Sequence, residues 1–374
     1  MPVEFIGMIR TRDASELTGP PQTINDTEID RDYIRDFARA HEDDGFDRVL
    51  IGYYSSGPDG WGIASYAAGF TERLSFLIAH RPGFVAPTLA ARKAITLDHL
   101  TGGRIALHII TGGSDGEQQM DGDWTGHDVR YRRTDEYLDI VKRVWTSDEP
   151  FDHEGEFYKV KGAFSAIKPL QQPRIPLYFG GASGPAVTVG ARHADVYALW
   201  GEPIAAVKER IAAVRAAAPP GREIRFSVSL RLILGPTEEK AWKKAHAYLE
   251  RIVSHRAGER VADGSARPGA VGSQRLLDFA AQQEIFDKRL WMPIALATGA
   301  AGNTTALVGT PEQVAESLLD YYDAGITTIL IRGFKPLEDV VEYGRDVLPL
   351  VKAEVARRDR LAGIESRDAV AAAD

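Results

Sequence analysis

Short apolar runs alternate with longer amphipathic stretches along most of the chain. Eight of the runs are rich in β-branched residues and end at glycine, proline or polar residues, which predicts buried strands. These predicted strands span residues 3–9, 48–52, 74–79, 104–110, 176–179, 195–199, 224–234 and 327–332. Helical spacing of apolar residues predicts helices at 27–43, 61–70, 87–100, 134–146, 184–191, 204–218, 238–253, 276–286, 310–325 and 337–358.

Alternation of strands and helices is typical of a parallel sheet with right-handed crossovers. Eight such units in 374 residues predict a closed (β/α)8 TIM barrel. An open doubly wound sheet is the alternative, although no GxGxxG motif follows the first strand. The barrel would form a single domain, residues 1–358, followed by a disordered tail at 359–374.

Three segments depart from the simple repeat. Residues 236–304 are too long for one connection and contain Gly/Ala-rich stretches, which predicts an insertion between strands 7 and 8 that acts as a mobile lid. Residues 114–133 are polar and predict a long loop. Residues 156–160 predict one strand of a small hairpin.

Composition narrows the class of function. The net charge is −8 and no basic block stands out, which argues against a nucleic-acid or anionic membrane surface. The absence of cysteine excludes disulfides and thiolate sites, and nine histidines without ligand spacing give no sign of a metal site. No signal peptide and no run of ~18 apolar residues are found, so we expect a cytoplasmic protein.

The predicted strand ends carry glycines, hydroxyls, aromatic residues and arginines. Two strands end in a similar glycine loop, at Thr111–Ser114 and at Gly180–Gly184. Gly181, Ala182 and Ser183 open a predicted helix, where backbone N–H groups hold a phosphate well. The segment 127–133 would close over that phosphate with a phenol and cations, or it is a solvated charged loop. This mixture suits a flat, anionic ligand.

Several motifs together resemble the bacterial-luciferase-like flavin monooxygenases, and within them the alkanesulfonate monooxygenase branch. The similarity extends from about Phe5 to Leu350. The motifs are Gly102-Gly103-Arg104, Thr111-Gly112, His127-Asp128-x-Arg130-Tyr131, Lys168-Pro169-Leu170-Gln171-x-Pro173, Phe179-Gly180-Gly181-x-Ser183, Trp200-Gly201-Glu202-Pro203 and Ala306-Leu307-Val308-Gly309-Thr310.

The resemblance implies a TIM barrel that takes FMNH₂ from a separate NAD(P)H:FMN reductase and reacts it with O₂ to a flavin peroxide. It also implies a homodimer or homotetramer. His80 and Arg81 would lie near the flavin ring or ribityl chain. Trp200 matches an active-site tryptophan of the branch, the alternative being a packing residue at the top of the barrel. The implied FMN contacts are Thr111, His127, Tyr131, Gly181, Ala182 and Ser183.

The residues that would bind a sulfonate depart from the branch. On strand seven, an arginine and a histidine of the branch are replaced by Ser229 and Arg231. Thr298 stands where the branch has an arginine. The tyrosine and histidine after strand eight are replaced by Phe334 and Pro336, and Gly57 stands at a cysteine position.

Arg231 is therefore the predicted catalytic arginine, binding the substrate anion or the flavin peroxide, because a fixed guanidinium stabilises negative charge. An ion pair at the barrel rim is the alternative. Ser229 and Trp200 complete the predicted catalytic set. Arg10 could help to rebuild the anion site. The predicted substrate-binding residues are Tyr54, Arg332, Phe334 and Arg12.

The resulting functional prediction is a two-component FMNH₂-dependent monooxygenase that oxygenates a small organosulfur, alkanesulfonate-like substrate. One alternative is a monooxygenase acting on a non-sulfonate substrate. Another is a deazaflavin-dependent dehydrogenase on the same fold, and a third is a non-catalytic barrel that keeps the flavin cradle.

Overall fold

The computed structural model of the protein describes residues 2–17, 28–259, 268–302 and 304–371. Its strands in chain order are β1 (Glu4–Ile9), β2 (Arg48–Ile51), β3 (Ser75–His80), β4 (Ile105–Ile109), β5 (Phe151–Glu154), β6 (Lys159–Ala163), β7 (Leu177–Gly180), β8 (Val196–Trp200), β9 (Arg225–Leu234), β10 (Ile285–Phe286), β11 (Leu290–Trp291), β12 (Ala306–Gly309) and β13 (Thr328–Arg332).

Helices connect most of these strands. They are α1 (Arg31–Asp43), α2 (Gly60–Ala68), α3 (Pro87–Leu100), α4 (Asp115–Met120), α5 (His127–Thr146), α6 (Gly184–His193), α7 (Ile204–Ala217), α8 (Glu238–Glu259), α9 (Val271–Ala280), α10 (Pro293–Thr298), α11 (Pro311–Asp323), α12 (Pro336–Asp346) and α13 (Leu348–Ala371). Within the part of the chain that the structure describes, every helix is too short or too polar to span a bilayer.

Eight parallel strands of the described chain close into a barrel. Their order is β1-β2-β3-β4-β7-β8-β9-β13, and β13 pairs with β1 to complete the ring. The closure confirms the predicted (β/α)8 TIM barrel and shows that the open sheet is wrong. Because all strands run in the same direction, their carboxyl ends meet at one mouth.

The barrel interior is apolar at its floor and polar at its mouth. A separate hydrophobic cluster of inward-facing residues fills the floor: Ile6, Leu77, Ala106, Tyr178 and Val196. Side chains two positions further along a strand point the same way, which brings His108 on β4 inward above Ala106. On the opposite side of the mouth, β9 and β13 pair Ser229 with Leu330 and Arg231 with Arg332.

The insertion between β9 and β13 contains α8 to α11 and a small sheet extension. β12 pairs in parallel with the second half of β9, and the short β10–β11 pair continues from β12 in antiparallel fashion. Residues 260–267 and 303 of the predicted lid, 236–304, lie outside the described residues. The mobility predicted for this segment remains a prediction.

The predicted loop at 114–133 is wrong, because two helices occupy most of it. Ser114 caps α4 by accepting a hydrogen bond from the Glu117 backbone N–H. Helix α5 begins at His127 rather than at the predicted Thr134. Its charged first turns are helical because every third or fourth side chain on one face, such as Arg130 and Thr134, is buried.

Other element boundaries also differ from the sequence prediction. Helix α1 begins at Arg31 rather than at residue 27, because the side chain of Asp30 caps it. Helix α9 spans Val271–Ala280 instead of 276–286, and α10 lies in a stretch where no helix was expected. The last predicted helix is two helices separated at Val347, and α13 continues to Ala371.

Candidate functional site

A cavity of about 320 Å³ opens at the barrel mouth, where β4, β7 and β8 end. It lies in the size range of small-molecule and cofactor sites. The predicted site residues that line it are Arg81, Thr111, His127, Tyr131, Gly181, Ala182, Ser183 and Trp200. The structure thus brings together all predicted flavin contacts except His80, although their roles remain predictions.

One end of the cavity is a cradle built on the first turn of α6. Ser183 caps this ten-residue helix, and its hydroxyl accepts a hydrogen bond from the Ala186 N–H at 3.4 Å. Gly181 has φ +150°, and an added Cβ would lie 2.6 Å from the Ala186 Cβ and 3.1 Å from the Tyr131 hydroxyl. Only glycine leaves this space open. A helix amino terminus with a hydroxyl beside it favours an anion such as phosphate.

Helix α5 supplies one wall of the cradle. Burial raises the pKa of Tyr131, so its phenol stays protonated and can donate a hydrogen bond. The His127 ring centre lies 4.9 Å from that of Tyr131, and its Nδ1 is 2.6 Å from an Asp128 carboxylate oxygen. The sequence placed both residues at this site, but as part of a loop rather than a helix.

Arg210 completes the cradle, and the sequence analysis missed it. It projects from α7 into the cavity lining, and its Nη2 donates to the Ala182 carbonyl oxygen at 3.1 Å. A helix-borne arginine carries no local signal of such a role. Only the packing of α7 against α6 brings its charge to the cradle.

The loop after β4 is held in place by α4 and α5. The buried Arg130 guanidinium binds Asp115 at 2.7 Å and the Gly112 carbonyl at 3.3 Å. Gly112 has φ +95°, and an added Cβ would overlap the Gln118 side chain at 1.6 Å. Thr111 lies beside this loop, with its hydroxyl 3.3 Å from that of Thr134. These contacts fix the position of Thr111 at the cavity wall.

Arg81 lies at the part of the cavity wall that follows the end of β3, packed over the Tyr53 ring at 4.3 Å. It forms an ion pair with Glu117 at 3.0 Å and donates to the Ser55 hydroxyl at 3.0 Å. The neighbouring His80 points the other way, as alternate strand residues do. Its Nε2 is 2.8 Å from the Tyr137 hydroxyl, so the structure does not bring His80 to the cavity.

His108 also lines the cavity, and sequence reasoning missed it. Its Nδ1 is buried without a hydrogen-bond partner among the described residues, and Gly180 lies beside its Nε2. Burial lowers the pKa of His108 to about 4, so the imidazole is neutral at pH 7. A neutral ring with an unused nitrogen can donate to or accept from a ligand. The alternation along β4 contained this signal, because Ala106 and His108 share the inward face.

Part of the insertion covers the cavity. An added Cβ on Gly113 would lie 3.3 Å from the Ala270 Cβ, and one on Gly272 would lie 3.5 Å from the Trp200 ring. Arg275 then ties α9 to the exit of β8 through two bonds to Glu202, of 2.7 and 2.6 Å. Residues 268–272, which lead into α9, therefore cover the cavity and pack against the Trp200 ring. We call these residues the roof.

Arg231, the predicted catalytic arginine, is not among the residues that line this cavity. Arg231 is only 2% exposed and bonds to Glu16 and to the Gly333 carbonyl oxygen, the latter at 2.7 Å. Its guanidinium stacks over Phe334 at 4.4 Å. Arg231 thus forms the ion pair that the sequence analysis kept as the alternative, and it is not presented to the cavity.

The other predicted residues lie around the same side of the mouth. Arg332 faces Arg231 across β9 and β13, and Ser229 is the inward neighbour of Trp200 across β8 and β9. Tyr54 lines a second, much smaller cavity at the ends of β1 and β2. Phe334 is buried, and Arg12 is partly buried with no hydrogen-bond partner at its Nε in the described part of the chain.

Three potential metal ligands come close together elsewhere among the described residues, between α5 and α6: Asp135, Asp139 and His193. The neighbouring Arg192 already bonds to both aspartates, at 2.5 Å in the case of Asp139. The His193 Nε2 donates to the Asp135 carboxylate at 2.7 Å. Because the Arg192 guanidinium already neutralises both carboxylates, these residues form an ion-pair network between α5 and α6.

Comparison with known proteins identifies the family of the chain. The sequence pattern of the family described as luciferase-like monooxygenase matches residues 3–328. The chain belongs to the luciferase-like monooxygenase family. This confirms the resemblance to the bacterial-luciferase-like superfamily and the prediction of a flavin-dependent monooxygenase.

Several solved structures have the same fold as this member of the luciferase-like family. A riboflavin lyase (RcaE), solved with modified FMN and riboflavin, has a TM-score of 0.76 and 22% identity and covers 95% of this chain and 92% of its own. A long-chain alkane monooxygenase (LadA) has a TM-score of 0.73 and 20% identity, covering 96% and 92%. An F420-dependent secondary alcohol dehydrogenase has a TM-score of 0.65 and 16% identity, covering 94% and 99%.

Proposed function

We propose that the protein is the oxygenating component of a two-component monooxygenase, which binds FMNH₂ supplied by a separate NAD(P)H:FMN reductase and uses O₂. The observation that carries the proposal is the cradle of Ser183, Tyr131, His127 and Arg210 at one end of a roofed cavity. Its donors match a phosphate, and the space left by Gly181 fits a close backbone approach. The related riboflavin lyase was solved with a modified FMN.

Reduced FMN would supply the electrons that activate O₂. The residues of this chain would bind its phosphate at the cradle and hold its ring between Thr111, Arg81 and Trp200. The neutral imidazole of His108 would accept or donate one hydrogen bond at the cavity floor. The roof formed by residues 268–272 would exclude water, because a dry site strengthens each polar contact and suppresses side reactions.

A small organosulfur compound remains the proposed substrate. Ser229 is paired with the cavity residue Trp200 across β8 and β9, and we place the substrate on this side of the flavin. Arg231 cannot be proposed as a direct ligand for it, because Glu16 and the Gly333 carbonyl already hold its guanidinium.

The function is tested by a coupled assay with a flavin reductase, NADH, FMN and O₂ on ethanesulfonate, dimethyl sulfide and dimethyl sulfone. Oxygenated product above the reductase-only control supports the proposal. The W200F variant is expected to lose turnover, whereas W61F is the matched control because Trp61 packs against His80 outside the cavity. Absence of product from every substrate, with FMN bound, would count against a monooxygenase.

A deazaflavin-dependent dehydrogenase is the second candidate, since a dehydrogenase of that kind shares the fold. Fluorescence titration of the protein with FMN and with coenzyme F420 separates the two. Tighter binding of FMN supports the proposal, and tighter binding of F420 with anaerobic hydride transfer supports the dehydrogenase.

A further inference from the structure

A second cluster of charges lies at the barrel mouth, outside the cavity. The carboxylate of Glu16 bonds to Arg10 at 2.8 Å and to Arg231, and it lies 3.6 Å from the Arg332 Nη2. Glu16 belongs to the segment that follows β1, whereas Arg231 is 215 residues away on β9. One carboxylate thus meets guanidinium groups from three neighbouring strand ends.

The barrel register explains why these arginines need an anion. Arg231 on β9 and Arg332 on β13 occupy paired positions at the mouth. Arg10 follows the end of β1, the next strand around the barrel. Like charges at such close positions repel one another in a buried setting, unless an anion lies between them.

Glu16 supplies that anion and is held firmly in place. Its side chain is 3% exposed, and its backbone N–H donates to the Phe334 carbonyl at 2.8 Å. Arg231, Arg332 and Arg10 lower the pKa of Glu16 to about 2 against the opposing effect of burial, so it is ionised at any ordinary pH. Carboxylates and sulfonates bind guanidinium groups in the same way. Glu16 therefore occupies the position in which a substrate sulfonate would neutralise these arginines.

Arg332 differs from Arg231 in having a guanidinium N–H without a hydrogen-bond partner among the described residues. This donor is its Nε, and its Nη1 lies 3.1 Å from the Met8 sulfur. Burial and the neighbouring Arg231 lower the pKa of Arg332 to about 10, which still leaves it charged at pH 7. A neutral oxygen could satisfy its free donor without displacing Glu16.

We propose that Glu16 is a specificity-determining residue that excludes small alkanesulfonates and leaves Arg332 to bind the oxygen of an uncharged organosulfur substrate, such as a sulfone or sulfoxide. A sulfonate approaching Arg332 meets the fixed Glu16 carboxylate on the same guanidinium. An uncharged oxygen meets no such repulsion. This inference deepens the proposed monooxygenase function and rests on it.

The test is calorimetric titration of the full-length protein with ethanesulfonate and with dimethyl sulfone, each with and without saturating FMN. Wild type is expected to bind dimethyl sulfone more tightly than ethanesulfonate. E16Q is expected to bind ethanesulfonate at least tenfold more tightly than wild type, because a neutral amide at position 16 does not repel the sulfonate. E16D, which keeps the charge, is expected to behave like wild type.

E354Q is the matched control, since Glu354 also bonds to two arginines but lies on the exposed face of α13. It should change neither affinity. Tight ethanesulfonate binding by wild type, or no gain in E16Q, would overturn the proposal. Loss of turnover with the binding pattern intact would instead count against the monooxygenase function alone.

A second variant keeps the proposal testable if E16Q does not fold, as judged by its thermal melt. R332L removes the donor without touching Glu16 and is expected to weaken dimethyl sulfone binding at least fivefold while FMN binding stays unchanged. Unaltered sulfone binding in a folded R332L would contradict the assignment of Arg332.

Discussion

The two halves of the barrel mouth differ in whether their polar side chains point into open space or are paired with one another. Around β4, β7 and β8 the donors point into an open cavity, and the His108 Nδ1 has no partner among the described residues. Around β9, β13 and β1, the charge of Arg231 is already matched by Glu16. Buried polar groups are normally satisfied, so the donors that point into the open cavity indicate where the flavin binds. Counting arginines at strand ends would have pointed to the other half.

The largest expected effect comes from filling the cradle. G181A introduces a Cβ 2.6 Å from that of Ala186 at a φ of +150°, so we expect FMN affinity to fall roughly 100-fold. G184A is the matched control, because a Cβ there has open space. Fluorescence titration measures both. Equal FMN affinity in the two variants would show that the cradle does not hold the phosphate.

The second prediction concerns the stability of the paired half. R231M leaves the buried Glu16 carboxylate without its closest partner and should lower the free energy of unfolding by about 3–5 kcal/mol. R357M, which removes an exposed partner of Glu354, should change it far less. Urea denaturation measures both. A loss in R231M no larger than in R357M would mean that the Glu16 pair is not structural.

The two halves of the barrel mouth should lose stability in different ranges of acidic pH. His108 has its pKa lowered from 6.5 to about 4 by burial, so the unfolded state binds the extra proton and stability falls as the pH drops from 6.5 to 4. Each such histidine contributes up to about 1.4 kcal/mol per pH unit. Glu16, lowered from 4.5 to about 2, contributes stability that is present above pH 4.5 and is lost only as the pH falls towards 2.

The H108Q variant should therefore show a shallower decline of the unfolding free energy between pH 6.5 and 4, measured by denaturation at several pH values. The E16Q variant should follow the wild-type slope in that window. Parallel slopes for wild type and H108Q would contradict the assignment of a buried neutral imidazole.

The smallest expected effect is on the roof. R275Q removes both bonds to Glu202, which should speed amide hydrogen exchange in α9 by roughly tenfold without changing exchange in the barrel strands. R357Q serves as the exposed control. Unchanged exchange in α9 would show that other contacts hold the roof closed.

Much of the fold could be predicted because its signals are local. Apolar runs and helical spacing identified all eight barrel strands, and the glycine loops with Ser183 marked the cradle. The first turns of α5 were missed because the charges around Arg130 look like those of a solvated loop until its burial is known.

The charge partners could not be predicted for a different reason. Whether Arg231 is open or paired depends on a contact with Glu16 across 215 residues, which no local pattern reveals. Arg210 reaches the cradle only through the packing of α7 against α6. In both cases the sequence contains the side chain, but tertiary structure decides its partner.

The most direct test of the account compares the affinities of FMN and riboflavin, which differ only by the phosphate, in wild type and in the S183A/Y131F double variant. The account predicts that wild type binds FMN at least tenfold more tightly than riboflavin and that the ratio approaches one in the double variant. Equal affinities in wild type, or a ratio that the double variant leaves unchanged, would contradict the claim that this cradle binds a flavin phosphate.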